Sequence, residues 1–335
     1  MYRILMCCYC PHIYNEISHG FIEAGCKVLD FNIGDEYTKK TELLKQKLAQ
    51  TIDTMKPDIV FSYGWWKIGI NITEIMDMLR RKGVFRIWWS YDDPICFRDS
   101  SLPAAKGSDI AFTTAVECIP DYERNGVRAF LMEHGCSPHH TKVPAKSEYE
   151  HDIVLLANNY NIRSGDFIGN PFRLKGIKNV LEPLVDGGYD IRVWGRWWTQ
   201  TDRAYVLPGK NYGGVVPAEE VPSVYSSCKI ALGLQQVEKS RTHLSNRTYE
   251  VLGCGAFHIC QYSPALEHYF KKGVHLEWST SREETLELVK YYLPRENERL
   301  AVALNGQQEV LSRHLLIHRA RAALEIIKRY VKPKS

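Results

Sequence analysis

The sequence has no glycine-rich dinucleotide fingerprint. Its first strand-like run, residues 4–8, is followed by Pro11 and not by Gly-x-Gly-x-x-Gly. That argues against the usual nicotinamide or flavin dinucleotide fold. No Gly-x-x-x-x-Gly-Lys-Ser/Thr occurs either, which excludes a P-loop nucleoside triphosphatase. No apolar run approaches the ~20 residues of a membrane span, and the N-terminal residues lack the layout of a secretory signal. Cys7 and Cys10 form one Cys-x-x-Cys, but no second pair follows at zinc spacing. Lysines and arginines are scattered, without the interleaved aromatic stripe of a nucleic-acid groove. Nucleic acid is therefore disfavoured as a partner.

What is present is ordinary for a globular protein: 44% hydrophobic and 24% charged residues, with a formal net charge of +4. So mild a positive charge suits a small anionic ligand. The 335 residues exceed the length of about 250–300 at which one core stops growing, so two domains are expected. Most of the ten cysteines, such as Cys8, Cys26, Cys96, Cys254 and Cys260, sit inside apolar runs, where a reduced thiol acts as a small hydrophobe. Reduced thiols point to a cytoplasmic protein.

Strand and helix signals alternate along the chain. Strands are expected over 3–9, 27–33, 58–63, 84–90, 109–115 and 127–132, with helices over 16–25, 42–55 and 73–82 between the first of them. A polar stretch, 137–150, reads as a linker. A second alternating unit follows, with strands over 151–157, 189–194, 212–215, 229–234 and 256–260. Such alternation implies parallel sheets wrapped by helices, with ligands at the carboxyl ends of the strands. The final helix, expected over 307–330, carries Val310, Ile317, Leu324 and Ile327 on one stripe and Arg313, Arg319, Arg321, Lys328 and Arg329 on the other. The basic side reads as a solvated face on a helix crossing both domains, with contact to an anionic membrane surface as the alternative.

The richest stretch is 241–261. Ser245 and Asn246 are good helix N-caps, Gly253 and Gly255 end the helix, and 256–260 is a short apolar strand. Arg241, His243 and Arg247 gather where the helix N-terminus already favours an anion. Glu250 lies three residues after Arg247, on the same face. Cations for phosphates and a carboxylate for hydroxyls are what a ribose diphosphate needs. An exposed Arg–Glu pair on an ordinary helix is the competing reading.

Together these features resemble the GT-B glycosyltransferases, and within them the CgeB-like (spore maturation protein B-like) group. The resemblance rests on Asp92-Asp93-Pro94, Ala157-Asn158-Asn159-Tyr160 with Arg163, and the Arg-x-x-Glu-x-x-x-x-Gly pattern at Arg247, Glu250 and Gly255. His314 with Arg319 adds to it. It implies an α/β GT-B fold: two Rossmann-like doubly wound domains with a cleft between them. Residues 1–147 would bind the acceptor, 148–315 would bind a nucleotide sugar, and a C-terminal helix over 316–335 would pack back on the first domain. One departure stands out. Many retaining members carry Glu-x7-Glu, and here the first position is Thr242, with Glu238 out of register. That leaves retention or inversion open.

The implied activity is transfer of a sugar from a UDP- or dTDP-linked donor to a carbohydrate or other hydroxyl acceptor, in spore or cell-surface polysaccharide glycosylation. The alternative is a nucleotide-sugar binding protein with little or no turnover. Glu250 would accept the ribose hydroxyls, and Arg247 with Arg241 or Arg163 would neutralise the diphosphate. Asn158, Asn159, Arg196, His243 and Asn246 complete the donor set, and Tyr160, Trp197 and the backbone near Val216 would hold the base. Trp198 reads as packing. The general base on the acceptor side would be His12, Asp92 or Asp93. No metal and no cofactor is expected, because cations at the diphosphate replace a metal, and the adjacent Asp92 and Asp93 face opposite ways in an extended chain.

Overall fold

A computed structural model describes residues 1–9, 16–64, 69–160 and 171–333. The chain divides into two compact units, Met1–His134 with Leu316–Ser335, and Gly135–Leu315. Residues 135–147, read from sequence as the end of the first domain and its linker, thus belong to the second unit.

The first unit is built on six parallel strands: β1 (Arg3–Cys8), β2 (Lys27–Asn32), β3 (Ile59–Tyr63), β4 (Phe85–Ser90), β5 (Ile110–Thr113) and β6 (Ala129–Leu131). Their order is β2-β1-β3-β4-β5-β6. Every residue of β3 is buried, as a central strand covered on both faces requires. Leu5, Val60 and Trp88 face one apolar layer, while Ile4, Phe61 and Trp89 face the other. The helices Thr41–Met55 and Ile72–Arg81 bury Leu44, Leu48, Ile75 and Leu79 in the first layer.

The second unit repeats the plan with β7 (His151–Leu156), β8 (Ile191–Trp194), β9 (Tyr212–Gly214), β10 (Cys228–Gly233), β11 (His258–Gln261) and β12 (Glu277–Ser279). The order β12-β11-β10-β7-β8-β9 is again parallel throughout. The chain runs outward through β8 and β9, then returns to the other side of β7 to lay down β10. This reversal creates a switch point between β7 and β10, where the loops leaving the two strands diverge and open a crevice.

Two features correct the sequence reading. The helix expected over 307–330 is two helices, Glu296–Arg313 in the second unit and Leu316–Ile327 in the first. At the break, His314 N–H closes the first helix on Val310 O, and Leu315 bridges to Cys136. Arg319 is not part of a solvated basic face. It is 8% exposed, its Nε donates to His134 O at 2.9 Å, and Glu133 lies 3.8 Å away.

Leu316–Ile327 packs against the helix Glu16–Glu23, joining Leu316, Ala320 and Leu324 to Ile17 and Phe21. Contact is so close that a Cβ on Gly20 would stand 2.8 Å from Leu316 O. Gly20→Ala is therefore expected to destabilise the first unit by about 1–3 kcal/mol, the cost of overpacking. Urea unfolding followed by near-ultraviolet circular dichroism would register it as a lowered midpoint.

Candidate functional site

Two buried glutamines fasten the second unit's switch point. Gln235 follows β10, and Gln261 ends β11. The backbone N–H of Gln235 donates to Gln261 Oε1 at 3.1 Å, and Gln261 Nε2 donates to Phe172 O at 2.8 Å. Gly176 admits this side chain, since a Cβ there would meet Gln261 Oε1 at 2.1 Å. Gln235 then grips the start of the helix Asn246–Gly253. Its Nε2 donates to Thr248 Oγ1 at 3.0 Å, and its Oε1 accepts the Ser245 N–H at 2.9 Å. Ser245 occupies the N-cap position as expected, but its side chain makes no capping bond. Gly253 is the last helical residue, and Gly255 takes φ +67 just beyond it, where a side chain would be strained.

On this helix Asn246, Arg247 and Glu250 share one face. Asn246 Nδ2 donates to Glu250 Oε1, and Arg247 Nη1 donates to Glu250 Oε2 at 2.7 Å. Glu250 is only 6% exposed, whereas the Arg247 side chain keeps 38% of its surface open. Burial pushes the Glu250 carboxyl up, yet Arg247, His140 and Asn246 outweigh it and hold the group below its ordinary value. The result is an ionised carboxylate inside the unit, beside a guanidinium that reaches the surface.

The loops after β7 and β8 form the other wall. Asn158 Oδ1 accepts the Arg196 N–H at 2.9 Å, Asn158 Nδ2 donates to the Tyr160 hydroxyl at 3.3 Å, and Asn159 Nδ2 donates to Tyr205 O at 2.8 Å. The Tyr160 and Trp197 rings lie 5.6 Å apart, and Arg203 stands 5.3 Å over Trp197. Gly195 makes this approach feasible: at φ +135, a Cβ would collide with Ala157 O at 1.9 Å. Trp198 is buried and donates to Ala157 O at 2.6 Å, a packing role.

Arg173 was missed from sequence. It is 6% exposed, donates to Asn158 O at 2.9 Å and stacks 5.2 Å over Tyr160. Burial depresses its basicity, and the positive charge of Arg247 lowers it further. The two guanidinium groups thus lie near enough to repel each other, an interaction that a nearby anion would relieve. No motif surrounds Arg173. In sequence it is one of several basic residues in this stretch, with Lys175 and Lys178 close by, and nothing sets it apart from them.

The structure thus draws together Asn158, Asn159, Tyr160, Arg196 and Trp197 on one wall and Asn246, Arg247 and Glu250 on the other. Arg241 is exposed in the preceding loop. His243 is buried there, its backbone N–H held at 2.9 Å by Ser240 Oγ, and Val216 packs on the layer that contains Trp194 and Val251. Arg163 and His12 lie outside the described residues.

In the first unit Asp92 is partly exposed, but Asp93 has no exposed surface. Thr113 Oγ1 and the Tyr122 hydroxyl each donate to its Oδ2 at 2.8 Å. Enclosed in this way, Asp93 anchors the turn after β4 and offers no open oxygen to a substrate hydroxyl. Among the described residues no cluster of three metal-ligating side chains is found.

Residues 173–325 match the family model described as glycosyl transferase-like. No protein of curated function matches the chain in sequence. Among solved structures, it superposes on sucrose-phosphate synthase from Thermosynechococcus elongatus with a TM-score of 0.69 at 11% identity, covering 98% of this chain and 99% of that one. Anabaena HepE in complex with UDP-glucose gives 0.64 at 10% identity, with 98% and 100% coverage. A putative UDP-N-acetylglucosamine 2-epimerase from Listeria monocytogenes gives 0.58 at 9% identity, with 98% and 96% coverage. The chain has the fold of GT-B glycosyltransferases, and its segment 173–325 carries the glycosyl transferase-like pattern.

Burial pushes the Asp93 carboxyl up to about 6, against hydrogen bonds from Ser101, Tyr122 and Thr113 that favour its charge. An unfolded aspartate titrates near ~3.9, so the folded state retains the extra proton between those values. The associated stability is complete below pH ~3.9 and is lost as pH rises through about 6. It amounts to at most about 3 kcal/mol. Asp93→Asn should remove this component, so the unfolding midpoint of the variant relative to wild type should rise with pH across that window.

Proposed function

We propose that the protein is a glycosyltransferase that binds a UDP- or dTDP-sugar on its second unit and passes the sugar to a hydroxyl acceptor. One observation carries this reading: the buried, ionised Glu250 lies beside the partly open Arg247, with Arg173 near enough to feel the charge of Arg247. A carboxylate at that position accepts hydrogen bonds from vicinal ribose hydroxyls, and the two guanidinium groups take the diphosphate. Tyr160 and Trp197 present aromatic surface for the base. Anabaena HepE, which shares this fold, is known in complex with UDP and with UDP-glucose, and this favours uridine.

As the glycosidic bond breaks, negative charge grows on the departing diphosphate. Cations already in place stabilise that charge more than the ground state, which is where rate acceleration originates. In this reading Arg247 and Arg173 do the work of a metal ion, and no metal is required. His12 or Asp92 serves as acceptor-side base. The resemblance to the CgeB-like group suggests spore or cell-surface polysaccharide as the setting, and cysteines held as thiols in apolar runs suggest the cytoplasm as the compartment.

A second reading, nucleotide-sugar binding without turnover, draws on Thr242. It occupies the place of the first Glu in Glu-x7-Glu and is buried. Release of nucleoside diphosphate from a panel of donors separates the two readings, since binding with no release on any donor or acceptor would favour the second. A hydrogen bond to a charged group is worth about 1.5–3 kcal/mol. Glu250→Ala should accordingly weaken UDP binding by about tenfold or more in calorimetry, and it should abolish donor hydrolysis. Unchanged affinity would overturn the assignment.

A further inference from the structure

The second unit brings one more group to the site, from the segment that the sequence reads as a linker. Residues 136–140 lie tightly against the helix Asn246–Gly253. A Cβ on Gly253 would stand 2.4 Å from Cys136 Sγ and 2.8 Å from His140 O. The turn closes on itself through His140 N–H donating to Ser137 O at 3.0 Å, and Cys136 N–H anchors it to His314 O at 2.8 Å. This packing delivers the His140 side chain, 8% exposed, to the carboxylate three residues before Gly253. His140 Nε2 lies 3.9 Å from Glu250 Oε2, the oxygen that already accepts from Arg247. That distance is too long for a hydrogen bond, but the interaction between the groups is still strong.

We propose that His140 is a positioning residue for Glu250. When a nucleotide sugar draws Arg247 toward its diphosphate, the imidazole takes over Oε2 and acquires a proton from solvent. The inference rests on the nucleotide-sugar reading and deepens it. Arg247 has two anions within its reach once a donor is bound, and its open side chain can turn to the diphosphate. Glu250 would then keep the Asn246 amide and the ribose hydroxyls as donors but lose its neighbouring cation, a costly state for a buried charge unless another cation replaces the first.

His140 is the group placed to do so. Burial keeps it below its ordinary value, Glu250 works in the opposite direction, and Arg247 and His139 lower it further. Tyr225 and Cys254, which also interact with Glu250 and Arg247, are pushed up by burial and stay neutral. Departure of Arg247 removes a nearby positive charge and leaves the Glu250 charge uncompensated, so both effects favour imidazolium. One proton passes from solvent to the ring, and no bond of the sugar nucleotide changes.

Calorimetric titration of the full chain with UDP-glucose, in buffers of different ionisation enthalpy between pH 6 and 8, measures this proton directly. UDP-glucose has no phosphate group that titrates in that range, so an uptake belongs to the protein. The expected result is net proton uptake on binding, with affinity weakening as pH rises by at most about tenfold per unit. His140→Gln should lose the uptake and flatten the pH profile, whereas the exposed neighbour variant His139→Gln should keep both. Binding without proton uptake in the wild type overturns the proposal, as does uptake that survives in a folded His140→Gln protein. The wild-type proton count decides alone if that variant does not fold. Failure of both UDP and UDP-glucose to bind would instead remove the nucleotide reading, and this inference with it.

Discussion

A carboxylate inside a protein remains ionised only if its surroundings replace the water it has lost. Glu250 satisfies that condition with an amide on one oxygen and a guanidinium on the other, both from its own helix. Several buried polar side chains of the second unit support the helix that carries it. Gln235 fixes where the helix begins, Gln261 fixes Gln235, and Gly176 leaves room for Gln261. Each link is a buried side chain whose hydrogen bonds are met by protein groups, so the helix is held in one position without a side-chain cap.

The parallel sheet explains why the support is found there. Strand order reverses at β7 and β10, so the loops leaving these two strands part and expose backbone and side chains to a common space. Gly195 and Gly253 mark places where two segments approach too closely for any side chain, one on each wall. The field of the site follows from that geometry. Arg173 and Arg247 are each held by a defined hydrogen bond, Arg173 to Asn158 O and Arg247 to Glu250.

The sequence made the sheet legible because central parallel strands are continuous apolar runs, as at Ile59–Tyr63, and because helices of ordinary length separate them. Arg247 and Glu250 were legible as well, since a three-residue spacing fixes their shared face whatever surrounds the helix. Other features depend on contacts far along the chain. Nothing adjacent to Gln235 or Gln261 distinguishes a buried fastener from a surface glutamine. Arg173 and His140 sit in stretches with no motif, and their meaning comes from residues distant in the chain, Asn158 and Arg247 for the first and Glu250 for the second. Arg319 read as a surface cation because periodicity places it opposite the apolar stripe, yet the carbonyl of His134 draws it inward. Asp93 read as a candidate base because it follows the carboxyl end of a strand, while Thr113 and Tyr122, from other elements, enclose it. Periodicity alone hid the break at His314, because both helices continue one apolar pattern, whereas the family resemblance implied a boundary after residue 315.

The return of Leu316–Ile327 to the first unit has an effect during synthesis. Gly135–Leu315 is continuous in the chain, so it can complete its core as soon as it has left the ribosome. Met1–His134 emerges earlier but lacks the helix that covers Ile17 and Phe21 until every residue of the second unit has been made. The portion translated first therefore cannot complete its apolar layer until the last helix has been made.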